Sequence, residues 1–383
     1  MYVFERLVGV AVFSFVLVVI CLSLIGKSSR QIKNILIVYT LILTVFAYCY
    51  IPYETADLYR INELVDSFSK LSFSKFIAKQ KALGDRGIAN VLYWLIGKTG
   101  VPQLLPAIVT FVCYSCIFYI ISKTAEKNQI SGKNVAITLF FYMSIGNYMF
   151  VIAGIRCMLG ISLLAFCFFR ENVEGKFNLL HLPLYFISAF VHPFAAVLIA
   201  ARFIVSIFDT KSTTVKKRIY FFILGVGIIL ATYFLDGYLD EIVKKAKSYL
   251  RGDGYSYLWE YVLAILACFV MLSALLKGKD IIAKSKLKLN VWILYEIALF
   301  IVALFVCYEF TTFHRLTTYI MPIIALPLLM TVLQSIDDKK KLGQTSSSGM
   351  IIDFGSCIML VSILLLFIAC FRGSLCSFKF FIS

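Results

Sequence analysis

Charged side chains are scarce in this sequence. Asp, Glu, Lys and Arg together make up 15% of its 383 residues, whereas 61% of the residues are hydrophobic. Soluble globular domains carry about 25% charged and about 45–50% apolar residues, so this composition excludes a soluble domain. It predicts an all-α polytopic membrane protein.

We expect neither a disulfide framework nor a cleavable leader in this sequence. All of its 11 cysteines except Cys376 lie in apolar runs, where a free thiol behaves as a small hydrophobic group. Cys113 and Cys116 form a C-x-x-C pair without neighbouring ligands, which favours packing over metal binding. The first apolar run, residues 3–25, has no small-residue cleavage site after it, so we expect a membrane helix there.

The apolar runs predict about twelve transmembrane helices in a single integral membrane domain, residues 1–383. A bilayer core of about 30 Å needs about 20 helical residues. The run between Ile88 and Lys98 is too short and predicts a re-entrant or half helix. Residues 134–169 are too long for one crossing, so we expect a turn near Gly146. Crossings are expected at residues 3–25, 35–52, 101–122, 134–150, 151–169, 219–235, 258–276, 290–308, 316–336 and 350–371, with two more in 179–208 on either side of His192-Pro193.

The loops between these runs divide into two sets by charge. One set holds 20 basic and 7 acidic residues, and the positive-inside rule places it in the cytoplasm. The two longer segments opposite, residues 53–87 and 236–257, are nearly balanced and become outer loops. This asymmetry accounts for most of the net charge of +16, so nucleic-acid binding is excluded. The cytoplasmic set comprises residues 27–34, 123–133, 170–178, 209–218, 277–288 and 337–349.

Two polar residues stand in long apolar runs. Arg156 is the only charged side chain between residues 135 and 169, and His192 lies in the middle of a later run. A charge inside a membrane segment costs several kcal/mol unless it is paired or lines a wet cavity, so each marks a functional-site hypothesis. The alternatives are an arginine bonded to backbone carbonyls and a histidine packed before a proline.

The predicted orientation gathers several polar groups near the outer leaflet. Arg156 is expected about a turn and a half inside the outer end of its helix, and His192 at an outer break. For Arg315 the alternative is an anchor at the membrane interface, and for Asp57, Tyr59 and Arg60 it is an ordinary solvated loop. The further members of this outer set are Asp57, Tyr59, Arg60, Glu309, His314 and Arg315.

Two other polar residues lie apart from the outer set. His181 is expected near the cytoplasmic side with no polar companions, as a structural residue. Glu296 is expected to lie within a membrane segment, where it has no assigned role beyond helix pairing.

The order of motifs resembles the EpsG-like branch of the Wzy-type polysaccharide polymerases. One departure is Cys157, where a polar residue such as Gln is expected after the arginine. The motifs are D-x-Y-R (Asp57, Tyr59, Arg60), G-I-R-x-x-L (Gly154, Ile155, Arg156, Leu159), F-x-H-P-x-A-x-x-L (Phe190, His192, Pro193, Ala195, Leu198) and R-L-x-x-Y (Arg315, Leu316, Tyr319).

The resemblance implies a metal-independent and cofactor-free membrane glycosyltransferase with a helical bundle like that of the GT-C enzymes. Such an enzyme lies in the bacterial cytoplasmic membrane with its site facing outward. It joins undecaprenyl-diphosphate-linked repeat units of a capsule, O-antigen or exopolysaccharide. A flippase and a chain-length regulator of the same pathway are the implied protein partners.

The resemblance also assigns roles to the outer residues. Arg156 and Arg315 are expected to hold the diphosphate, because guanidinium forks stabilise a leaving phosphate group. Either His192 or Asp57 is expected to act as the base. The residues expected to position the substrate are Tyr59, Arg60, Glu309, His314 and Tyr319.

Three other functions stay open. An O-antigen ligase shares the donor and the chemistry but uses another final acceptor. A lipid-linked oligosaccharide flippase is expected to show two similar halves, and no internal repeat is visible. A membrane acyltransferase is expected to carry polar residues on the cytoplasmic side as well.

Overall fold

The computed structural model is all-helical over the residues that it describes. These are residues 2–52, 57–83, 88–176, 178, 180–192, 195, 198–199, 201–202, 205, 258–278, 287, 289–307, 310–342 and 353–371. The helices are α1 (Tyr2–Leu24), α2 (Ser29–Tyr48), α3 (Asp57–Ser69), α4 (Phe73–Leu83), α5 (Ile88–Thr99), α6 (Leu104–Asn128), α7 (Gly132–Ser144), α8 (Asn147–Ala153), α9 (Ile155–Phe168), α10 (His181–Val191), α11 (Leu258–Gly278), α12 (Asn290–Phe305), α13 (Phe310–Arg315), α14 (Met321–Lys341) and α15 (Phe354–Phe371). Within the described ranges there are two π-helical turns, Phe169–Val173 after α9 and Leu316–Ile320 between α13 and α14.

Four helices of the described residues are long and apolar enough to cross a membrane. They are α2, α6, α11 and the continuous helix Thr312–Lys341, which includes the second π turn and α14. Together with the apolar composition they make the chain a membrane protein. The twelve predicted crossings stay a prediction, and the run at residues 219–235 lies outside the described residues.

The core forms around α6, which packs against α2, α9 and α14. The helix Thr312–Lys341 is buried almost throughout, unlike α2, which leaves most of its surface exposed. Trp292 of α12 stacks on Phe168 of α9, and its indole N–H donates to the carbonyl oxygen of Ile324. Buried aromatic contacts of this kind stabilise the packing of α9, α12 and α14 against one another.

Residues from several positively charged loops meet at one end of the bundle, which we call the basic end. A Cβ at Gly132 would lie only 1.8 Å from the carbonyl oxygen of Leu24, so the ends of α1 and α7 are in close contact. The Asn134 amide donates to Asp337 at 3.1 Å, and Lys340 donates to Asp353 at 2.6 Å. Loops 27–34, 123–133 and 337–349 therefore share one end, as their charge predicts.

The region between α7 and α9 contains two backbone breaks, of which the sequence predicts one. The expected turn at Gly146 is confirmed, with a φ of 85° that favours glycine. The seven-residue α8 follows, and Gly154 then separates it from α9. Arg156 is consequently the second residue of α9. The prediction that it lies a turn and a half inside its helix is wrong, because the second glycine restarts the helix beside it.

The described residues of the run 179–208 turn back at His192 as a hairpin, and the two crossings expected for this run stay a prediction. The break at His192 is confirmed, since its φ of −151° and ψ of 128° are extended. The 11 residues of α10 rise only about 16 Å. Ten residues after the break, Arg202 returns to Glu171, which also contacts His181 at the start of α10. The described residues after the break therefore return toward the start of α10.

The outer segment at residues 57–83 is folded into α3 and α4, although its polar composition predicted a loop. Leu58, Ile61, Val65 and Phe68 form one buried face of α3. This face packs closely on α5, where a Cβ at Gly97 would lie 2.7 Å from a backbone oxygen of α3. The prediction that α5 is a short separate helix is confirmed, because it ends after 12 residues.

Candidate functional site

Arg156 lies at the N-terminus of α9, at the end of that helix opposite Glu171. Its side chain is exposed, and it has no carboxylate partner among the described residues. The first N–H groups of a helix have no partners within the helix and carry partial positive charge. Arg156 and the start of α9 therefore present positive charge at the same place.

Arg315 lies directly before the second π turn, at the end of helix Thr312–Lys341 that is far from the basic end. Two threonine hydroxyls donate hydrogen bonds to backbone carbonyls one turn earlier in this helix. Thr317 donates to the Phe313 carbonyl at 2.7 Å, and Thr318 donates to the His314 carbonyl at 2.5 Å. Pro322, one turn further on, has no N–H to donate. A π turn re-aims the residues beside it and often marks a functional site.

The two arginines lie in the same part of the fold, although 159 positions separate them in the sequence. A Cβ at Gly154, two residues before Arg156, would lie 3.8 Å from the Tyr319 ring, and Tyr319 lies one turn after Arg315. Within the described chain, Arg315 also has no carboxylate partner. Two cations in one neighbourhood repel each other unless an anion lies between them. The arrangement therefore favours binding of an anion with more than one negative charge.

An aromatic wall stands beside the arginines. The Phe150 ring lies 4.2 Å from the Tyr319 ring and 5.4 Å from the His314 ring, and Phe310 stacks on His314 at 5.3 Å. The Nδ1 atom of His314 is buried and has no hydrogen-bond partner among the described residues. This wall restricts water on one side of the site, which strengthens electrostatic contacts there.

Helix α3, which begins with the Asp57 motif, lies beside the same aromatic wall. It packs against α8, whose Phe150 ring lies 4.2 Å from the Tyr319 ring. Asp57 accepts a hydrogen bond of 2.5 Å from Arg60, and both side chains of this pair are largely exposed. Tyr59 lies between them in sequence and is half-buried. The helix that carries Asp57 thus borders the aromatic wall beside the arginines.

His192 lies at the hairpin tip, close to the start of α9. A Cβ at Gly160, one turn below Arg156, would meet the Ser188 carbonyl at 3.1 Å and the Ala195 side chain at 3.5 Å. Gly160 therefore lets the hairpin tip approach α9. Val191, the neighbour of His192, lines a cavity together with Arg156. The hairpin and α9 accordingly bring His192 near the level of Arg156.

Of the predicted site residues, Glu309 lies outside the described residues. The prediction that His181 has no polar companions is wrong: its Nδ1 lies 3.1 Å from a carboxylate oxygen of Glu171. Sequence reasoning missed this cluster, in which Glu171 also accepts from Tyr185 and Arg202. The only signal for it was two acidic residues beside an apolar run.

Glu296 is fully buried in α12. Neither of its carboxylate oxygens has a hydrogen-bond partner in the described part of the chain. The expected helix pairing is therefore not made through a hydrogen bond to this carboxylate. Among the described residues, no group of three or more His, Cys, Asp and Glu side chains is arranged to hold a metal ion.

Comparisons with known proteins give one match, to a family model. No curated protein and no solved structure matches the chain. A family model described as the EpsG family matches residues 90–369, well over half of the chain. The match includes Arg156, His192, Arg315 and Tyr319 and begins after Asp57. Membership indicates a function like that of the polysaccharide polymerases. The chain belongs to the EpsG family.

Proposed function

We propose that this protein is a glycosyltransferase that joins undecaprenyl-diphosphate-linked oligosaccharide repeat units at the outer face of the bacterial cytoplasmic membrane. The observation that carries the proposal is the close approach of the α8–α9 junction, beside Arg156, to Tyr319, one turn after Arg315, away from the basic end. In this proposal the basic end faces the cytoplasm, as the excess of Lys and Arg requires. The site then faces outward.

The arginines bind the diphosphate that links the sugar chain to its lipid. A guanidinium group offers paired N–H donors that match phosphate oxygens, and the N-terminus of α9 adds backbone N–H groups and dipole charge. Negative charge grows on the diphosphate as the bond to the sugar breaks. Fixed positive groups in a site with little water stabilise that charge in the transition state.

A base must accept the proton of the attacking hydroxyl, and His192 is the residue that we assign to this role. Neutral imidazole takes a proton readily near neutral pH. His192 lies in the part of the chain that matches the family model, whereas Asp57 precedes it. Asp57 also already accepts a hydrogen bond from Arg60. Asp57 and Arg60 then position the substrate.

The reaction is a displacement at the anomeric carbon of the growing chain. A hydroxyl of the incoming repeat unit forms the new glycosidic bond, the bond to the diphosphate breaks, and the hydroxyl proton passes to His192. The lipid diphosphate is the leaving group, and Arg156 and Arg315 bind it as it leaves. No metal or cofactor takes part in this proposal. Tyr59, Glu309, His314 and Tyr319 contact the sugars, and a flippase and a chain-length regulator act before and beside the enzyme.

The test compares arginine variants in cells from which the gene has been deleted. Arg156→Ala and Arg315→Ala are expected to abolish polymer and to accumulate single lipid-linked repeat units. Arg156→Lys keeps the charge but loses the paired donors, so we expect partial activity. Arg30→Ala, an exposed residue of α2 beside the basic end, is the matched control and should behave as wild type.

Protein level is checked by immunoblot for each variant. Normal polymer ladders from both alanine variants contradict the site assignment. Accumulation of full-length polymer on its lipid carrier, in place of single units, contradicts the polymerase function and indicates a ligase.

A further inference from the structure

A narrow cavity lies between α5, α9 and α10, and we call it the lateral groove. Its volume is about 200 Å³, and it is partly open. Among the described residues, the lining is aliphatic or aromatic except for Arg156. Ala89 and Leu92 of α5 form one wall, and Leu159 of α9 with Ile187 and Val191 of α10 form the other.

The groove is flanked by surfaces that face lipid. Both α5 and α10 are too short to cross a bilayer. On α5, Leu95 is 52% exposed, and on α10, Phe186 and Phe190 are 57% and 44% exposed. These side chains are apolar and belong in hydrocarbon. A molecule in the membrane can therefore enter the groove sideways between the two helices.

The apolar lining and the guanidinium group of the groove fit a ligand that is partly apolar and carries negative charge. Among the described residues that line the groove, the single charge is the Arg156 guanidinium group, which has no carboxylate partner in the described chain. Arg315 lies one turn before Tyr319, which the α8–α9 junction beside Arg156 approaches closely. Two guanidinium groups match the charge of a diphosphate better than that of a single phosphodiester. A volume of about 200 Å³ is below the roughly 300–1,000 Å³ of a typical small-molecule pocket. It suits a segment of one chain and not the paired chains of a phospholipid.

We propose that the lateral groove binds the first isoprene units of the polyisoprenoid chain, with the diphosphate of the same molecule on Arg156. The identity of this lipid rests on the proposed function. The groove then sets the direction from which the donor enters, because the chain lies between α5 and α10 while its sugar end faces His192. Ala89, Leu92 and Leu159 become specificity residues for the lipid carrier.

The experiment is photo-crosslinking of the purified full-length protein in lipid nanodiscs. The probe is a geranylgeranyl diphosphate that carries a diazirine on its first isoprene unit, and crosslinked peptides are identified by mass spectrometry. We expect crosslinks on α5 and α10 that unlabelled geranylgeranyl diphosphate removes. A diazirine phosphatidylglycerol is the second probe, and it should not label these helices at the groove.

Two variants fill the groove with an indole ring. Ala89→Trp and Leu92→Trp are expected to reduce crosslinking at least tenfold, whereas the matched control Leu95→Trp, on the outer face of the same helix, leaves it unchanged. The thermal unfolding midpoint of each variant verifies that it is folded. Two filling variants keep the test decisive if one of them fails to fold.

Three outcomes overturn the proposal: no crosslinks on α5 or α10, equal labelling by the phospholipid probe, or crosslinking that survives both filling variants. The failure of the proposed function is seen separately. If the gene deletion leaves polymer intact while the geranylgeranyl probe still labels the groove, the lipid site stands and the polymerase function falls.

Discussion

The buried cluster at the base of the hairpin predicts a strict order of stabilities. Glu171 accepts hydrogen bonds from His181, Tyr185 and Arg202, and the side chains of Glu171 and Arg202 are only 5% and 2% exposed. Removing one partner of a buried ion pair leaves an uncompensated charge and costs about 3–5 kcal/mol. Removing one hydrogen bond to a charged acceptor costs about 1.5–3 kcal/mol. Arg202→Met should therefore destabilise the protein more than Tyr185→Phe does.

A double variant separates the effect of an uncompensated buried charge from the effect of the lost contacts. Glu171→Gln combined with Arg202→Met removes both charges, so no buried charge is left without a counter-charge. We expect this double variant to be more stable than Arg202→Met alone, since the penalty of the single variant comes mainly from the orphaned carboxylate.

Buried thiols of the chain provide the assay. Cys113, Cys116, Cys157 and Cys167 are free and buried, so a thiol-reactive fluorophore reports their exposure as the protein unfolds in detergent. Arg202→Met should lower the unfolding midpoint by about 5–10 °C. Arg30→Met is the exposed control. A double variant as unstable as the sum of its two single variants refutes the reasoning, because the charges would then act independently.

Three further predictions concern buried and basic-end residues, all measured as unfolding midpoints. Glu296→Met should stabilise the protein by about 1–3 kcal/mol, because it removes a buried carboxylate without partners in the described chain. A loss of stability contradicts this. Gly132→Ala should be strongly destabilising, since its Cβ meets a backbone oxygen at 1.8 Å, whereas Gly355→Ala, with its nearest contact a side chain at 3.4 Å, should be tolerated. The hydrogen bond from Lys340 lowers the pKa of the Asp353 carboxyl. The stability that Asp353 contributes is thus present above its ordinary pKa and is lost as the pH falls through the lowered value. Asp353→Asn should lower the midpoint at neutral pH and make no difference at a pH below that value; a pH-independent difference contradicts the assignment.

Local features of the fold were predictable from the sequence. The turn at Gly146, the break at His192 and the short α5 follow from glycine, proline and run length, which act over a few residues. The amphipathic α3 was also visible, because Leu58, Ile61, Val65 and Phe68 follow helical spacing. It was missed because a search for membrane-length apolar runs passes over a 13-residue helix.

Features that depend on distant residues were not predictable in this way. The hairpin closes because Arg202 reaches back 31 positions to Glu171, and no local pattern specifies that pairing. The candidate site forms because a π turn beside Arg315 and a second glycine break beside Arg156 bring distant parts of the chain together. The sequence indicated which residues are unusual, but the approach of the α8–α9 junction to Tyr319 comes from tertiary packing.

The short α5 and α10 have a consequence for the surrounding bilayer. They rise about 18 Å and 16 Å, whereas the hydrocarbon core is about 30 Å thick. Where they face lipid, the membrane must become thinner, at a cost of a fraction of a kcal/mol for each Å of mismatch. Under the proposed function, a thinner bilayer brings the lipid headgroups closer to the depth of Arg156, so the proposed transfer should be faster in vesicles whose lipids have shorter acyl chains.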